Sequence, residues 1–220
     1  MRLQNVLIIA CAALSLIAAP ASAQTPSGTS TLFGTNLVVN GDAESDTGAP
    51  SDGQVVKPTG WTTTGEFTAV QYGASGGFPN KTSPGPTDRG KNFFAGGNVA
   101  KSTAAQTIDL SSGAQAIDSG GVTYTLAGWL GGYSGQTDNA QVTVTFLNAG
   151  GSSLGTGRIG PVTPADRHGT TGFLKRTATG SVPAHARAAR VVVTGTRFEG
   201  TYNDGYSDDV SLVLKKGASK

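Results

Sequence analysis

The sequence predicts an all-β fold, a sandwich of two antiparallel sheets. Glycine is abundant (33 of 220 residues) and charged residues make up only 14% of the chain. With many Thr and Ser besides, this composition is typical of strands and turns rather than helices. Apolar and polar residues alternate with a period of two along residues 122–130 and 140–147, and clusters of Gly, Pro, Asn and Asp separate such segments.

Nine strands are predicted, a normal number for a jelly-roll sandwich. In chain order they are 37–39, 67–72, 92–96, 104–110, 122–130, 140–147, 173–179, 189–196 and 208–214. Along 122–130, Tyr124 and Leu126 share one face, whereas Trp129 projects from the other.

The segments between these strands are predicted as loops and turns. Residues 78–91 contain three prolines and predict a long loop. Residues 131–139 and 150–157 are rich in glycine and predict turns. The Ala-rich stretch 184–189 predicts no more than one helical turn, because Pro183 precedes it and β-branched residues follow it.

The chain begins with the pattern of a secretory signal peptide, residues 1–23. Arg2 precedes an apolar run that ends at a small-residue cleavage site, Ala21-Ser-Ala23. The run is too short to predict a membrane span, and the alternative interpretation, a lipoprotein box ending at Cys11, leaves almost no apolar region before the cysteine. We therefore expect a secreted protein without stable membrane insertion, comprising a flexible leader (24–35), one β-sandwich domain (36–214) and a basic tail (215–220).

Composition also narrows the classes of partner. Cleavage after Ala23 would remove the single cysteine and leave 15 basic and 14 acidic residues. The scattered basic residues argue against nucleic acid, since phosphate binding needs a clustered basic face. Stability must then come from core burial and, in our interpretation, a metal, because no disulfide can form. The sequence does not indicate an oligomeric state.

Two motifs near the ends of the mature chain pair carboxylates with short apolar strands. They are N-L-V-V-N-G-D-A-E at 36–44 and Y-S-D-D-V-S-L-V-L at 206–214. These motifs resemble the galactose-binding-like jelly roll, a fold shared by carbohydrate-binding modules and other secreted bacterial proteins. The segments 122–154 and 173–214 resemble secreted bacterial members of the same group. The resemblance thus covers nearly all of the mature chain and implies a jelly roll.

The resemblance also implies a structural calcium ion at the edge of the sandwich. Glu44 and Asp208 would be side-chain ligands, with Asp42 and the loop at Asn92 contributing further oxygens. Calcium takes six to eight oxygen ligands. We expect Asp208 to share a face with the core residue Val210, where an unpaired carboxylate would be costly. In the alternative interpretation these carboxylates cap turns or pair with neighbouring cations.

A carbohydrate-binding surface is the second candidate site. Sugar rings stack on exposed aromatic side chains and hydrogen-bond to polar ones, and a site needs several such groups together. The candidates are two groups of residues from separate parts of the chain, namely Trp129, Tyr133, Asp138 and Asn139, and Tyr202 and Asp204. In the alternative interpretation the aromatic residues are packed rather than exposed.

Catalytic motifs are missing from the sequence. There is no G-x-S-x-G, H-E-x-x-H or Cys/His cluster, and His168 and His185 are the only histidines. Glu66 and Glu199 could supply the two carboxylates of a glycosidase, but no pattern brings them together. We therefore expect a non-catalytic protein that binds a polysaccharide or glycan. The alternatives are an extracellular structural or adhesive sandwich and, third, a hydrolase.

Overall fold

The computed structural model describes residues 31–217, which form a jelly-roll β-sandwich. The predicted fold class is confirmed. The predicted signal peptide, leader residues 24–30 and tail residues 218–220 lie outside the described residues. The strands are β1 (Ala49–Ser51), β2 (Thr62–Thr64), β3 (Thr68–Ser75), β4 (Asn92–Ala95), β5 (Lys101–Asp109), β6 (Val122–Gly132), β7 (Asn139–Leu147), β8 (Ser153–Ile159), β9 (Gly172–Ser181), β10 (Ala188–Thr196) and β11 (Tyr206–Lys216).

The strands form a six-stranded sheet in the order β1-β3-β4-β11-β6-β9 and a five-stranded sheet in the order β2-β5-β10-β7-β8. Paired strands are antiparallel, except that β1 runs parallel to β3 at one edge. A short 3₁₀ helix (Ser111–Gly113) and α1 (Ala114–Asp118) connect β5 to β6. Residues 184–189 hold a turn and the start of β10 rather than a helical turn.

The predicted strand at 37–39 is wrong. Only isolated bridges, at Phe33 and Asn36, join this segment to β11. The side-chain Oδ1 of Asn36 accepts hydrogen bonds from the backbone of Val38 and Leu212, and Asn40 has a φ of 49°. The side chain of Asn36 thus binds backbone donors, and the left-handed residue then turns the chain away. The two ends of the domain nevertheless meet at β11.

Three strands, β1, β2 and β8, were not predicted. The glycine-rich segment predicted as a turn at 150–157 instead enters β8, which pairs with β7. Its Gly157 is needed for packing, because a Cβ there would lie 2.2 Å from the hydroxyl oxygen of Tyr124. Glycine within a strand often marks such a close approach, and here it admits a tyrosine of the facing sheet.

The main core lies between the two sheets. Leu126, Val144, Val191 and Leu212 are fully buried there. Trp61 is also buried, and its indole donates a 3.0 Å hydrogen bond to the carbonyl oxygen of Asn40. This interior accounts for the alternation predicted along the long strands.

A second hydrophobic cluster covers part of the outer face of the six-stranded sheet. We call it the outer aromatic cluster, and its buried aromatic members are Phe78, Phe93, Phe173, Tyr202 and Tyr206. Phe93 and Tyr206 meet edge to face, with 5.3 Å between ring centroids. Their face of the sheet is therefore partly a core of its own.

A β-bulge in β11 determines which side chains face this cluster. Asp208 pairs with Trp129 and Ser211 pairs with Ala127, so two residues of β11 oppose one residue of β6. Asp209 has a φ of 48°, a left-handed conformation that Asp tolerates better than most residues. The expectation that Asp208 shares a face with Val210 is wrong, because the extra residue shifts the alternation: Val210 belongs to the main core, whereas Asp208 contacts Tyr72 beside the outer aromatic cluster.

Candidate functional site

A polar groove lies on the outer face of the six-stranded sheet, beside the outer aromatic cluster. Its volume is about 480 Å³, within the usual range for small-molecule sites. Five parts of the chain line it: the segment before β1, the loop before β4, strand β6, strand β9 and the bulge of β11. The lining side chains used below are Asn36, Asn40, Asp42, Asp88, Trp129, Lys175 and Asp209.

Trp129 stands at the centre of this arrangement. In β6 it pairs with Asp208 of β11 on one side and with Lys175 of β9 on the other. Its side chain is half-buried and packs against the outer aromatic cluster while lining the groove. One part of the Trp129 side chain is therefore packed against the outer aromatic cluster, and another part is exposed to the groove.

Carboxylates give the groove its charge. Asp42, Asp88 and Asp209 all line it. The pKa of Asp209 is raised to about 6, chiefly by burial and also by the carboxylates of Asp88 and Asp42, while Lys175 lowers it. The groove thus combines an aromatic side chain, several carboxylates and one ammonium group.

Asp208 lies behind the groove and is fully buried. Burial raises its pKa well above the ordinary value, and the hydrogen bond from the Tyr72 hydroxyl works against that shift. Its other oxygen accepts a 2.8 Å hydrogen bond from the backbone of Asp209. The carboxylate is therefore satisfied by hydrogen bonds from its own surroundings.

The residues predicted to bind calcium lie at the same end of β11 but are divided in their contacts. Oε1 of Glu44 accepts hydrogen bonds from the backbone N–H groups of Lys91 and Asn92, both 2.7 Å long. The amide of Asn92 donates to the carbonyl oxygens of Ala43 and Asp46. Within residues 31–217, no three His, Cys, Asp or Glu side chains converge as a metal-holding group. A calcium ion here would need backbone oxygens as well, which that cation accepts.

The predicted sugar-binding residues other than Trp129, from both groups, come together at one end of the sandwich, where the segment at 133–139 meets the segment at 197–205. Asp138 is fully buried there. Its Oδ1 accepts backbone hydrogen bonds from Phe198 and Glu199, of 2.6 and 2.9 Å, and its Oδ2 accepts one of 3.1 Å from Asp204. Because the carboxylate is enclosed by these three donors, it holds the two segments together.

The neighbouring aromatic and polar residues are mostly enclosed too. Tyr202 is buried in the outer aromatic cluster, and the Tyr206 hydroxyl donates to Oδ1 of Asp204. Burial raises the pKa of Asp204 to about 6, an effect that this hydrogen bond reduces. Tyr133 and Asn139 are half-buried, and Asn139 donates to the carbonyl oxygen of Thr137. Of these residues, Tyr133 and Asn139 keep the larger accessible surface.

The groups considered for catalysis are dispersed. His168 is exposed in a turn, and His185 lies 3.8 Å from Asp118, which also pairs with Arg187. Glu66 accepts from the backbone of Asn98, and the carboxylate of Glu199 is bound by Thr137. Among residues 31–217, no helix is long and apolar enough to cross a membrane.

Comparisons with known proteins find likenesses among solved structures. One is the enzymatically active domain of tailspike protein 4 of bacteriophage CBA120, with 18% identity and a TM-score of 0.48, over 81% of this chain and 21% of that chain. Another is a family 16 carbohydrate-binding module, with 18% identity and a TM-score of 0.49, over 81% and 99% of the two chains. A third is a family 61 carbohydrate-binding module in complex with β-1,4-galactotriose, with 15% identity and a TM-score of 0.44, over 83% and 99%.

The chain thus spans about a fifth of the length of the tailspike chain. No protein-family model matches the sequence, and a search of curated proteins finds no match. The site is therefore interpreted from its own side chains.

Three charged groove residues were missed in the sequence, namely Asp88, Lys175 and Asp209, and Asn36 and Asn40 were noted only as part of the first motif. Asp209 directly follows a predicted ligand, but the bulge that turns it toward the groove leaves no pattern in the sequence. Lys175 is the residue opposite Trp129 in the pairing of β6 with β9. That register could not be read without the structure.

Proposed function

We propose that this protein binds a carbohydrate chain, without cleaving it, in the groove lined by Trp129. The observation that carries the proposal is the position of this half-buried tryptophan beside a polar groove of about 480 Å³. The signal-peptide pattern at residues 1–23 supports an exported protein, so the ligand is taken to be an extracellular or cell-surface glycan.

The chemistry of the groove suits a sugar. A sugar ring has an apolar face that packs on an aromatic side chain and hydroxyl groups that need hydrogen-bond partners. Trp129 offers the aromatic surface. Asp88 and Asp209 are acceptors for hydroxyl donors, and Lys175 donates. The amide nitrogen of Asn40 already donates to Asp46 and Thr59, so Asn40 could only accept. A ligand held in this way would be bound by shape and hydrogen bonding rather than by covalent chemistry.

The mechanism of binding is one of preorganisation. Trp129 is braced from behind by the outer aromatic cluster and flanked on paired strands by Asp208 and Lys175. Its ring is thus held in place before a ligand arrives. Binding then costs little side-chain entropy, which improves affinity.

Calcium is a second part of the proposal. The donor set at this edge consists of oxygens, from Asp42, Glu44, Asn92 and Asp208, which are the ligands that calcium prefers. Asp42 and Asp209 also line one groove with Asp88, so a cation at this edge would offset the repulsion between neighbouring carboxylates. A bound ion would supply charge neutralisation and would tie the segment before β1 to β11.

The test compares binding of soluble xylan, galactan and β-glucan to the wild-type protein and its Trp129→Ala variant by affinity gel electrophoresis. We expect the dissociation constant obtained from the retardation to be at least about tenfold higher for Trp129→Ala, the loss typical when a central aromatic contact is truncated. Trp129→Phe should keep part of the affinity, and Thr125→Ala, on the same face of β6, should keep all of it. Equal retardation of the wild type and Trp129→Ala would overturn the assignment of the groove. Failure of the wild type to bind any glycan would favour the adhesive alternative.

A further inference from the structure

Phe198 is the most exposed large apolar side chain of residues 31–217, at 64%. It lies in the turn after β10, at the end of the sandwich where residues 133–139 and 197–205 meet. Single exposed apolar residues are common on protein surfaces. The local contacts of Phe198 set it apart from an incidental one.

The turn that carries Phe198 is held from inside the protein. The N–H groups of Phe198 and Glu199 both donate to Oδ1 of Asp138, whose side chain is fully buried. A carboxylate that accepts several backbone N–H bonds makes strong, charge-assisted hydrogen bonds. The backbone beneath the exposed ring is therefore fixed to the core of the domain.

Both flanks of the turn are fixed as well. The N–H of Arg197 donates to the carbonyl oxygen of Ala100 over 2.8 Å, and its guanidinium donates to the carbonyl oxygen of Thr201. On the other side, Oε1 of Glu199 accepts from both the N–H and the hydroxyl of Thr137. With hydrogen bonds on both sides, the turn displays its phenyl ring in a defined place.

The residues of this turn and of the segment that it contacts are polar. Thr137 and Glu199 are exposed, Gln136 and Arg197 are half-buried, and Gln136 lies against Gly200 of the same turn. The turn therefore carries one exposed aromatic ring among residues with hydroxyl, amide, carboxylate and guanidinium groups. That combination fits the ring of a sugar better than an extended apolar partner surface, which would need a contiguous apolar patch.

We infer that Phe198 is a second carbohydrate contact, separate from the groove at Trp129, which stacks on one sugar unit of a glycan. The inference rests on the proposed function for the class of ligand but not on the groove itself. Asp138 is then a positioning residue: its carboxylate holds the turn that displays the ring and touches no ligand. The aromatic surface that the sequence suggested at this end is thus supplied by Phe198 rather than by the buried Tyr202.

The test uses the same glycan panel with Phe198→Ala, Phe198→Trp and a matched control, Val39→Ala, which removes another exposed apolar side chain (61% exposed) from a different part of the surface. We expect Phe198→Ala to weaken binding of at least one glycan by about fivefold or more, the effect of losing one significant aromatic contact. Phe198→Trp should restore or strengthen binding, and Val39→Ala should leave it unchanged. Melting temperatures should be equal for all four proteins, because the ring of Phe198 is mostly outside the core.

Asp138→Asn tests the positioning role. An amide can accept fewer backbone donors than a carboxylate and adds donors of its own, so the turn should loosen and glycan affinity should fall with it. In the double variant Asp138→Asn/Phe198→Ala, the loss in affinity should equal that of Phe198→Ala alone, a coupling that a purely structural role for Asp138 would not produce.

The outcomes separate this inference from the proposed function. Binding weakened by Trp129→Ala but unaffected by Phe198→Ala overturns the inference and leaves the groove in place. Binding weakened by Phe198→Ala alone supports the inference and overturns the groove assignment. Sedimentation velocity tests the alternative that Phe198 contacts a second copy of the protein. If the wild type self-associates and Phe198→Ala does not, Phe198 is a protein contact, and its role in sugar binding is overturned.

Discussion

The hydroxyl of Tyr72 donates a 2.6 Å hydrogen bond to Oδ2 of Asp208, joining β3 to β11 across 136 positions of the chain. Burial raises the pKa of Tyr72 and so keeps its hydroxyl protonated as a donor. Asp208 is fully buried and pairs with Trp129 of β6. The bond therefore fixes β11 at the position where it pairs with the residue that carries the proposed sugar contact.

Removing this donor should destabilise the protein. Tyr72→Phe leaves a buried carboxylate oxygen without its partner, and we expect the free energy of unfolding to fall by about 1–3 kcal/mol. Urea denaturation followed by tryptophan fluorescence measures the change. Tyr133→Phe, which removes a hydroxyl from a half-buried tyrosine just after β6, should have a much smaller effect. In an Asp208→Asn background, Tyr72→Phe should cost less, and equal costs in both backgrounds would show that the bond is not the cause.

The sequence predicts the long strands well but does not predict the outer aromatic cluster. Residues 122–130 and 140–147 were placed correctly, because a strand with one buried face produces a period of two. The outer aromatic cluster was not foreseen, because Tyr72, Phe93 and Tyr206 sit on the face that alternation assigns to solvent. The distant loops carrying Phe78 and Tyr202 make that face a second core, and such long-range cover leaves no local pattern.

The functional site was predictable in outline rather than in composition. Trp129 was singled out because it lies opposite the core residues of its strand, and it does line a groove. Asp138 was selected as a polar residue in a loop, yet the structure buries it as an acceptor for three backbone donors. Its partners lie about 60 positions away in the sequence. The same long-range contact leaves Phe198 exposed, so neither residue's role could be read from its neighbours.

Asp204 should make stability depend on pH. Its folded-state pKa is raised to about 6, above the unfolded value of about 3.9. The stabilisation from its protonated form is complete below the unfolded pKa and is lost as the pH rises through the folded pKa. Burial is the largest cause of this raised pKa; the hydrogen bond from Tyr206 and the charge of Arg167 lower it, and the carboxylates of Asp138 and Asp52 raise it.

Because Asp204→Asn is neutral at every pH, the wild type should lose melting temperature relative to this variant as the pH rises from about 4 to about 7. Thermal melts across that range give the difference. Asp109→Asn is the control, because a hydrogen bond from Ser111 lowers the pKa of this exposed carboxylate. Its difference from the wild type should stay nearly constant over the same range. A constant difference for Asp204→Asn as well would contradict the raised pKa.

A methyl group at Gly157 should disrupt the contact between the sheets. The Cβ of Gly157→Ala would lie 2.2 Å from the hydroxyl oxygen and 2.7 Å from Cζ of Tyr124. Because Tyr124 is buried in the main core, the ring cannot move freely, and overpacking of this kind costs about 1–3 kcal/mol. Gly135→Ala is the control, since nothing lies within 4 Å of its Cβ. Equal midpoints of urea unfolding for the two variants would show that β8 shifts to admit the methyl group without cost.

Calcium should raise the melting temperature if it binds where the carboxylates of the two terminal motifs meet. A ligand at about 100 times its dissociation constant stabilises the folded state by about 2.7 kcal/mol, which corresponds to about 5–10 °C for a domain of this size. Melts in excess calcium and in EDTA measure the shift. Asp42→Asn is the informative variant because it should disturb the fold little. Asp42 is exposed, and its carboxylate accepts a long hydrogen bond, 3.3 Å, from the N–H of Glu44. The variant should melt like the wild type in EDTA and lose most of the gain from calcium, since one ligand charge is gone. Asp109→Asn should keep the full gain in melting temperature. If the wild type melts at the same temperature with and without calcium, the calcium proposal is wrong, and the buried Asp208 is stabilised by Tyr72 and the backbone alone.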